Sequence, residues 1–188
     1  MFQHPAVGSV SSWGATILGI TVFAPAPTPV DEAARERAVI GSGALDARHD
    51  PALGDLVEQA RLTFGTGMAA VSVLSRDWQY LIAVAGVTSR TYSRRMSLCG
   101  HAIMTPRSVF CVEDARADPR FADNPMLIDG GQVRFYAGAP LVDADTMPLG
   151  TFCVFDRAPR ADFGPYEQMR LQQLADAVMT RLATLRES

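Results

Sequence analysis

The sequence predicts an α+β fold, a central antiparallel sheet layered with helices, on three observations. Two pairs of apolar runs are each joined by a short polar turn, so each pair returns on itself as a hairpin. Helix-period segments stand before the first hairpin and after the second. Helices at both ends of the chain then cover one face of the sheet they flank.

Residues 1–30 are Ser-, Gly- and Pro-rich and end in APAPTP, the composition of a stiff, extended linker. They are expected to be a weakly ordered N-terminal extension, dispensable for folding, with the globular domain covering 31–188. DEAARERAVI reads as a short helix, acidic residues first and Arg after them, as the helix dipole prefers. Asp50 can cap the next helix and Pro51 suits its first turn. Leu53, Leu56, Val57, Ala60 and Phe64 share one helical face, and Gly65 and Gly67 end the helix.

The period then changes. Residues 69–74 read as a buried strand, 75–77 as a turn and 78–85 as the return strand. Ser97 caps a short helix, LCGHAIM, that stops before Pro106. Residues 108–112 form a short strand, and 113–125 an acidic, turn-rich loop. Residues 132–142 form a long strand, with Pro140 at an edge or bulge. A turn at 143–146 leads into the strand 147–156. Gly164-Pro165 opens the last helix, striped by Leu171, Leu174, Ala175, Val178, Leu182 and Leu185.

Composition narrows the function classes. Net charge is -3 and no basic stripe is present, so neither nucleic acid nor an anionic membrane is an expected partner. All 17 basic residues are Arg, which excludes lysine chemistry. The apolar run 15–24 is too short to span a bilayer, and no Lys or Arg precedes it as a signal peptide requires. Three cysteines, Cys99, Cys111 and Cys153, form no secreted disulfide framework. A cytoplasmic protein with reduced thiols is expected.

Four segments carry a resemblance. SLCGHAI, VEDARADPRFADNP, VRFYAGAPL and PLGTFCVFDRAPR, in this order, resemble the motif series of bacterial GAF domains fused to histidine kinases and diguanylate cyclases. The resemblance covers roughly 31–186. It implies a PAS-related sheet of five or six strands, helices on one face and a loop-covered pocket on the other. It also implies a small-molecule-binding sensory module in signal transduction, a homodimer acting on a separate output protein rather than as an enzyme. No particular cofactor is implied. The chain departs from the family at its first hairpin turn, where Ser75-Arg76-Asp77-Trp78-Gln79 replaces the usual Asp followed by Arg-Gln-Trp.

The candidate ligand-binding residues are Trp78, Tyr80, Cys99, His101, Asp114, Arg134 and Tyr136. Trp78 and Tyr80 share a strand face and offer either pocket wall or core. Arg134 and Tyr136 share another. Arg134 could hold an anionic ligand group or pair with Asp114 or Asp118, and Asp114 and His101 would stand at the rim. The ligand is expected under the 113–134 loop. Cys99 and His101 point about 200° apart on a helix, which disfavours a shared metal ion. Leu98-Cys99-Gly100 is also similar to the Val-Cys-Gly of free methionine-R-sulfoxide reductases, a GAF subfamily. That implies a thiol enzyme as the alternative, beside a ligand-free dimerisation module. Cys111 and Cys153, in mid-strand, are expected to be inert. Cys99-Gly100-His101 does not match the chromophore attachment pattern of phytochromes.

Overall fold

The structure, a computed structural model, describes residues 23–128 and 133–187. Helix α1 (Glu32–Gly41) is capped by Asp31 and α2 (Pro51–Phe64) by Asp50, whose carboxylate accepts from the Leu53 amide. Gly65 closes α2 in the left-handed conformation that glycine tolerates. The sheet follows: β1 (Met68–Ser75), β2 (Trp78–Ala85), β3 (Thr91–Ser93), β4 (Phe110–Val112), β5 (Phe135–Val142) and β6 (Pro148–Asp156). Between β3 and β4 lie a 3-10 turn at Arg94–Met96 and helix α3 (Leu98–Ala102), capped by Ser97. The 113–134 loop contains α4 (Pro125–Ile128), and α5 (Pro165–Glu187) ends the described chain.

The six strands run in the order β3-β2-β1-β6-β5-β4, every described pairing antiparallel. The expected α+β architecture is present. The three-residue strand β3 is an addition, too short to show a period. Pro140 lies beyond the stretch of β5 that β4 reaches, where its missing N–H breaks no ladder bond. Gln132 and residues 1–22, which carry the start of the expected strand and most of the N-terminal extension, lie outside the described residues. Residues 23–30 are described. Within them Ala24 N–H donates to the Arg120 carbonyl at 2.9 Å and Ala26 N–H to that of Arg95 at 2.8 Å.

One face of the sheet buries Val71, Val73, Phe135, Ala137, Phe152 and Val154 against α1, α2 and α5. Strand alternation sends Ala70, Leu74, Tyr136 and Cys153 to the other face, where Leu98, Ile103, Phe121 and Leu127 cover them. In β2 the register slips opposite Val71 and Ser72, leaving Ile82 as the extra residue of a bulge. Leu81 therefore faces the second side while Ile82 and Ala83 both face the helices.

Two ion-pair systems tie helices to this frame. Arg35, 1% exposed, pairs with Glu32 and Glu36 and donates to the carbonyl of Leu74 at 2.8 Å. Glu32 also accepts from Arg94 at 2.5 Å, so α1 is bonded to the turn that leads into α3. Arg181 of α5 pairs with the Asp50 cap of α2 at 2.7 Å.

Candidate functional site

A cavity of about 160 Å³ opens on the face away from the long helices. Its sides come from Leu81, Val87, Tyr92, Met126, Leu127 and Val133, and its floor from Gln79, Cys99, Tyr136 and Cys153. It is smaller than the roughly 300–1,000 Å³ typical of drug-sized sites, so it suits a compact ligand. Met126, Leu127 and Val133 belong to the 113–134 loop, whose described residues therefore border the cavity.

The floor is polar and deeply buried. Gln79 Nε2 and Tyr136 Oη each donate to Cys99 Sγ at 3.2 Å. Tyr136 Oη also lies 3.4 Å from Thr151 Oγ1. A Cβ on Gly138 would clash with the Tyr136 ring, so glycine lets that ring fold along its own strand and bring its hydroxyl to the thiol. Gln79 Oε1 is buried with no hydrogen-bond partner among the described residues, and the buried Ser72 hydroxyl neighbours the Cys99 sulfur. Burial alone would raise the Cys99 pKa; hydrogen bonds from Cys153, Thr151 and Tyr136 outweigh it and bring it to about 6. Tyr136 is held well above its ordinary value, first by burial and then by the neighbouring sulfurs.

Two of the seven candidate residues, Cys99 and Tyr136, line this cavity. Trp78 and Tyr80 do not. They precede the bulge in register with Ile82 and face the helix side, where Tyr80 lies under Arg48 at 5.1 Å and Trp78 is 49% exposed. Arg134 does not reach the cavity either. Its guanidinium grips both oxygens of Asp114, and its backbone ties the loop to Ala115 and Asp156. Arg134 precedes β5, so strand alternation does not carry it to the Tyr136 side. His101 does not line the cavity; its Nε2 lies 3.1 Å from the Ala24 carbonyl and its ring meets Phe121 edge-on. Burial lowers the His101 pKa. Asp114 and Asp118 each accept a backbone N–H two residues on, as turn-forming carboxylates do.

Sequence reasoning missed Gln79, Leu81, Tyr92 and Cys153. A lone polar residue inside the apolar run WQYLIAVA was the available signal for Gln79. Cys153 is mid-strand and buried as expected, its pKa is raised well above the ordinary value, and it lines the same cavity floor as Cys99. Cys111 is on the helix side, and burial and the nearby Glu113 raise its pKa to about 11. Among the described residues, no group of three His, Cys, Asp or Glu is placed to hold a metal ion, and no helix is long and apolar enough to cross a membrane.

Comparison with known proteins identifies the family and the fold. A cyclic di-GMP phosphodiesterase of Pseudomonas aeruginosa is 38% identical over 162 residues, 86% of this chain. The chain spans only 27% of that protein's length. Among solved structures, the GAF domain of an Acinetobacter phosphoenolpyruvate-protein phosphotransferase superposes with a TM-score of 0.60 at 16% identity, covering 83% of this chain and 95% of that one. A type II free methionine-R-sulfoxide reductase from Thermoplasma acidophilum gives 0.58 at 17% identity, covering 74% and 94%. The chromophore-binding domain of a bacteriophytochrome from R. palustris gives 0.58 at 14%, covering 86% and 64%. At these identities the structural likeness establishes the fold. The GAF domain model matches residues 48–182, and the chain belongs to the GAF domain family.

Proposed function

We propose that this GAF domain is a cytoplasmic sensory module that binds a compact small molecule in the cavity and regulates a signalling output. The observation that carries this reading is the floor: Gln79 lines the cavity, and its buried Oε1 has no partner among the described residues. An unmet buried acceptor costs roughly 1–3 kcal/mol, so a ligand presenting an N–H or O–H there gains a hydrogen bond and removes the penalty. The apolar sides supply the remaining affinity. The phosphodiesterase relative supports a role next to cyclic-dinucleotide enzymes, with the output supplied by other domains or a separate protein.

Ligand binding at the floor would reach the helices through a short route. Cys99 sits on α3, the turn before α3 carries Arg94, and Arg94 is bonded to Glu32 of α1. A ligand that prefers one placement of α3 shifts α1 by that difference in affinity. Homodimerisation belongs to the same reading. Leu62 of α2 and Tyr166 and Met169 of α5 are large apolar side chains left exposed on the helix layer.

Gln79→Leu tests the reading. Leucine keeps the bulk and removes the orphan acceptor, so the variant is expected to be as stable as the wild type or about 1 kcal/mol more stable. Native mass spectrometry and thermal-shift screening with compact metabolites provide the comparison. A hit at a hundredfold excess over its Kd stabilises the wild type by about 2.7 kcal/mol, a rise of roughly 5–10 °C in Tm. Gln79→Leu should lose that rise. Equal shifts in both proteins would remove the floor from the binding site.

A further inference from the structure

The cavity holds two thiols with opposite character. Cys99 comes from α3 and Cys153 from β6, and both line the same space. The Cys153 thiol donates to the Ala70 carbonyl at 3.5 Å, and it also neighbours the Cys99 sulfur on the cavity floor as a hydrogen-bond donor. Cys99 also receives the Gln79 amide and the Tyr136 hydroxyl. These donors favour the Cys99 thiolate, whereas the neighbouring Cys99 sulfur, and then burial, push the Cys153 pKa well above its ordinary value. One sulfur is prepared as nucleophile, and its neighbour keeps a proton. The third cysteine, Cys111, is more exposed than either but faces the helix side.

We infer that Cys99 and Cys153 form a peroxide-reactive dithiol, a modification site at which a small hydroperoxide entering the cavity oxidises Cys99 and Cys153 closes a disulfide with it. The Cys99 thiolate attacks the terminal peroxide oxygen. An S–O bond forms, the O–O bond breaks, and the departing alkoxide or hydroxide takes the Cys153 proton. The Cys153 thiolate then attacks the Cys99 sulfenic acid. The S–S bond forms, the S–O bond breaks, and the released hydroxide becomes water with the proton that Cys99 had given to solvent. The sulfur pair loses two electrons and the peroxide gains them. The site stands whether or not the cavity also takes a ligand. Its closure draws α3 towards β6, and α3 follows the turn bonded to α1 through Arg94 and Glu32.

The experiment uses the reduced wild-type chain and hydrogen peroxide. Intact mass should fall by two hydrogens, a non-reducing peptide map should join the Cys99 and Cys153 peptides, and dithiothreitol should restore the starting mass. In Cys153→Ser, dimedone should trap a sulfenic acid on Cys99. At pH 7 the Cys99 peptide should react at least about tenfold faster than the Cys111 peptide, following its thiolate fraction. No mass change, oxygen added without a Cys99–Cys153 link, or faster reaction at Cys111 would each overturn the proposal. The wild-type map decides this even if the serine variant folds poorly. Loss of ligand binding in Gln79→Leu leaves the wild-type result untouched, so the two readings fail separately.

Discussion

The two faces of the sheet are built from the same six strands and do different work. The helix face is filled by aliphatic and phenylalanine side chains, with Val71, Val73, Phe135, Phe152 and Leu171 fully buried. Its covering helices are long and capped. The other face buries Ser72, Gln79, Ser97, Asn124 and Thr151 among its apolar groups, leaves a cavity, and is covered by a short helix and a loop. An orphaned amide oxygen, Gln79 Oε1, and a thiol with a depressed pKa occur there. One face is packed for stability, and the other keeps buried polar groups and a cavity at some cost to stability.

The largest expected effect breaks this division directly. Phe152→Ala on the helix face should cost about 3–5 kcal/mol, because a fully buried ring leaves a void that rigid helices cannot fill. Leu81→Ala on the cavity face should cost nearer 2 kcal/mol, since that side chain already borders open space. Urea denaturation of both variants gives the order. Equal losses would mean that the cavity face is packed as tightly as the helix face.

Next in size is the link between the faces. Glu32 joins Arg35 of α1 to Arg94 before α3. Burial alone would raise its pKa, but the bonds to Arg35 and Arg94 win and lower it to about 2. The carboxylate's contribution is then complete above the ordinary Glu value and disappears as pH falls through about 2. The shift is worth about 1–2 kcal/mol once solvent screening of this partly exposed group is allowed for. Glu32→Gln should therefore trail the wild type by about that much at pH 7, and the gap should narrow from about pH 5 downwards. A gap that stays constant with pH would assign the loss to packing rather than charge.

The sheet, the long helices and their caps were legible in the sequence because periods of 2 and 3.6 and the Asp50-Pro51 start are local signals. The face on which the cavity lies was legible too, through the long acidic loop. Its lining was not. A single bulge at Ile82 and the start of β5 after Arg134 decide which side chains reach the floor, and neither changes the local pattern. The meeting of Cys99 with Cys153 depends on α3 packing over β6, a long-range contact that no spacing in the chain announces.

The smallest expected effect isolates the faces at adjacent residues. Gln79 and Trp78 are neighbours on β2, and alternation turns them to opposite sides. Trp78 is the larger and more ligand-like side chain, but it is half exposed and pairs across the ladder with Ser75 and Ser93. Trp78→Thr keeps a residue that suits a strand and removes no bond to the cavity, so it should cost about 0.5 kcal/mol. Its Tm rise with any ligand found for the wild type should be unchanged. If Trp78→Thr abolishes that rise while Gln79→Leu preserves it, the ligand lies on the helix side of β2, and the division of labour between the two faces is reversed.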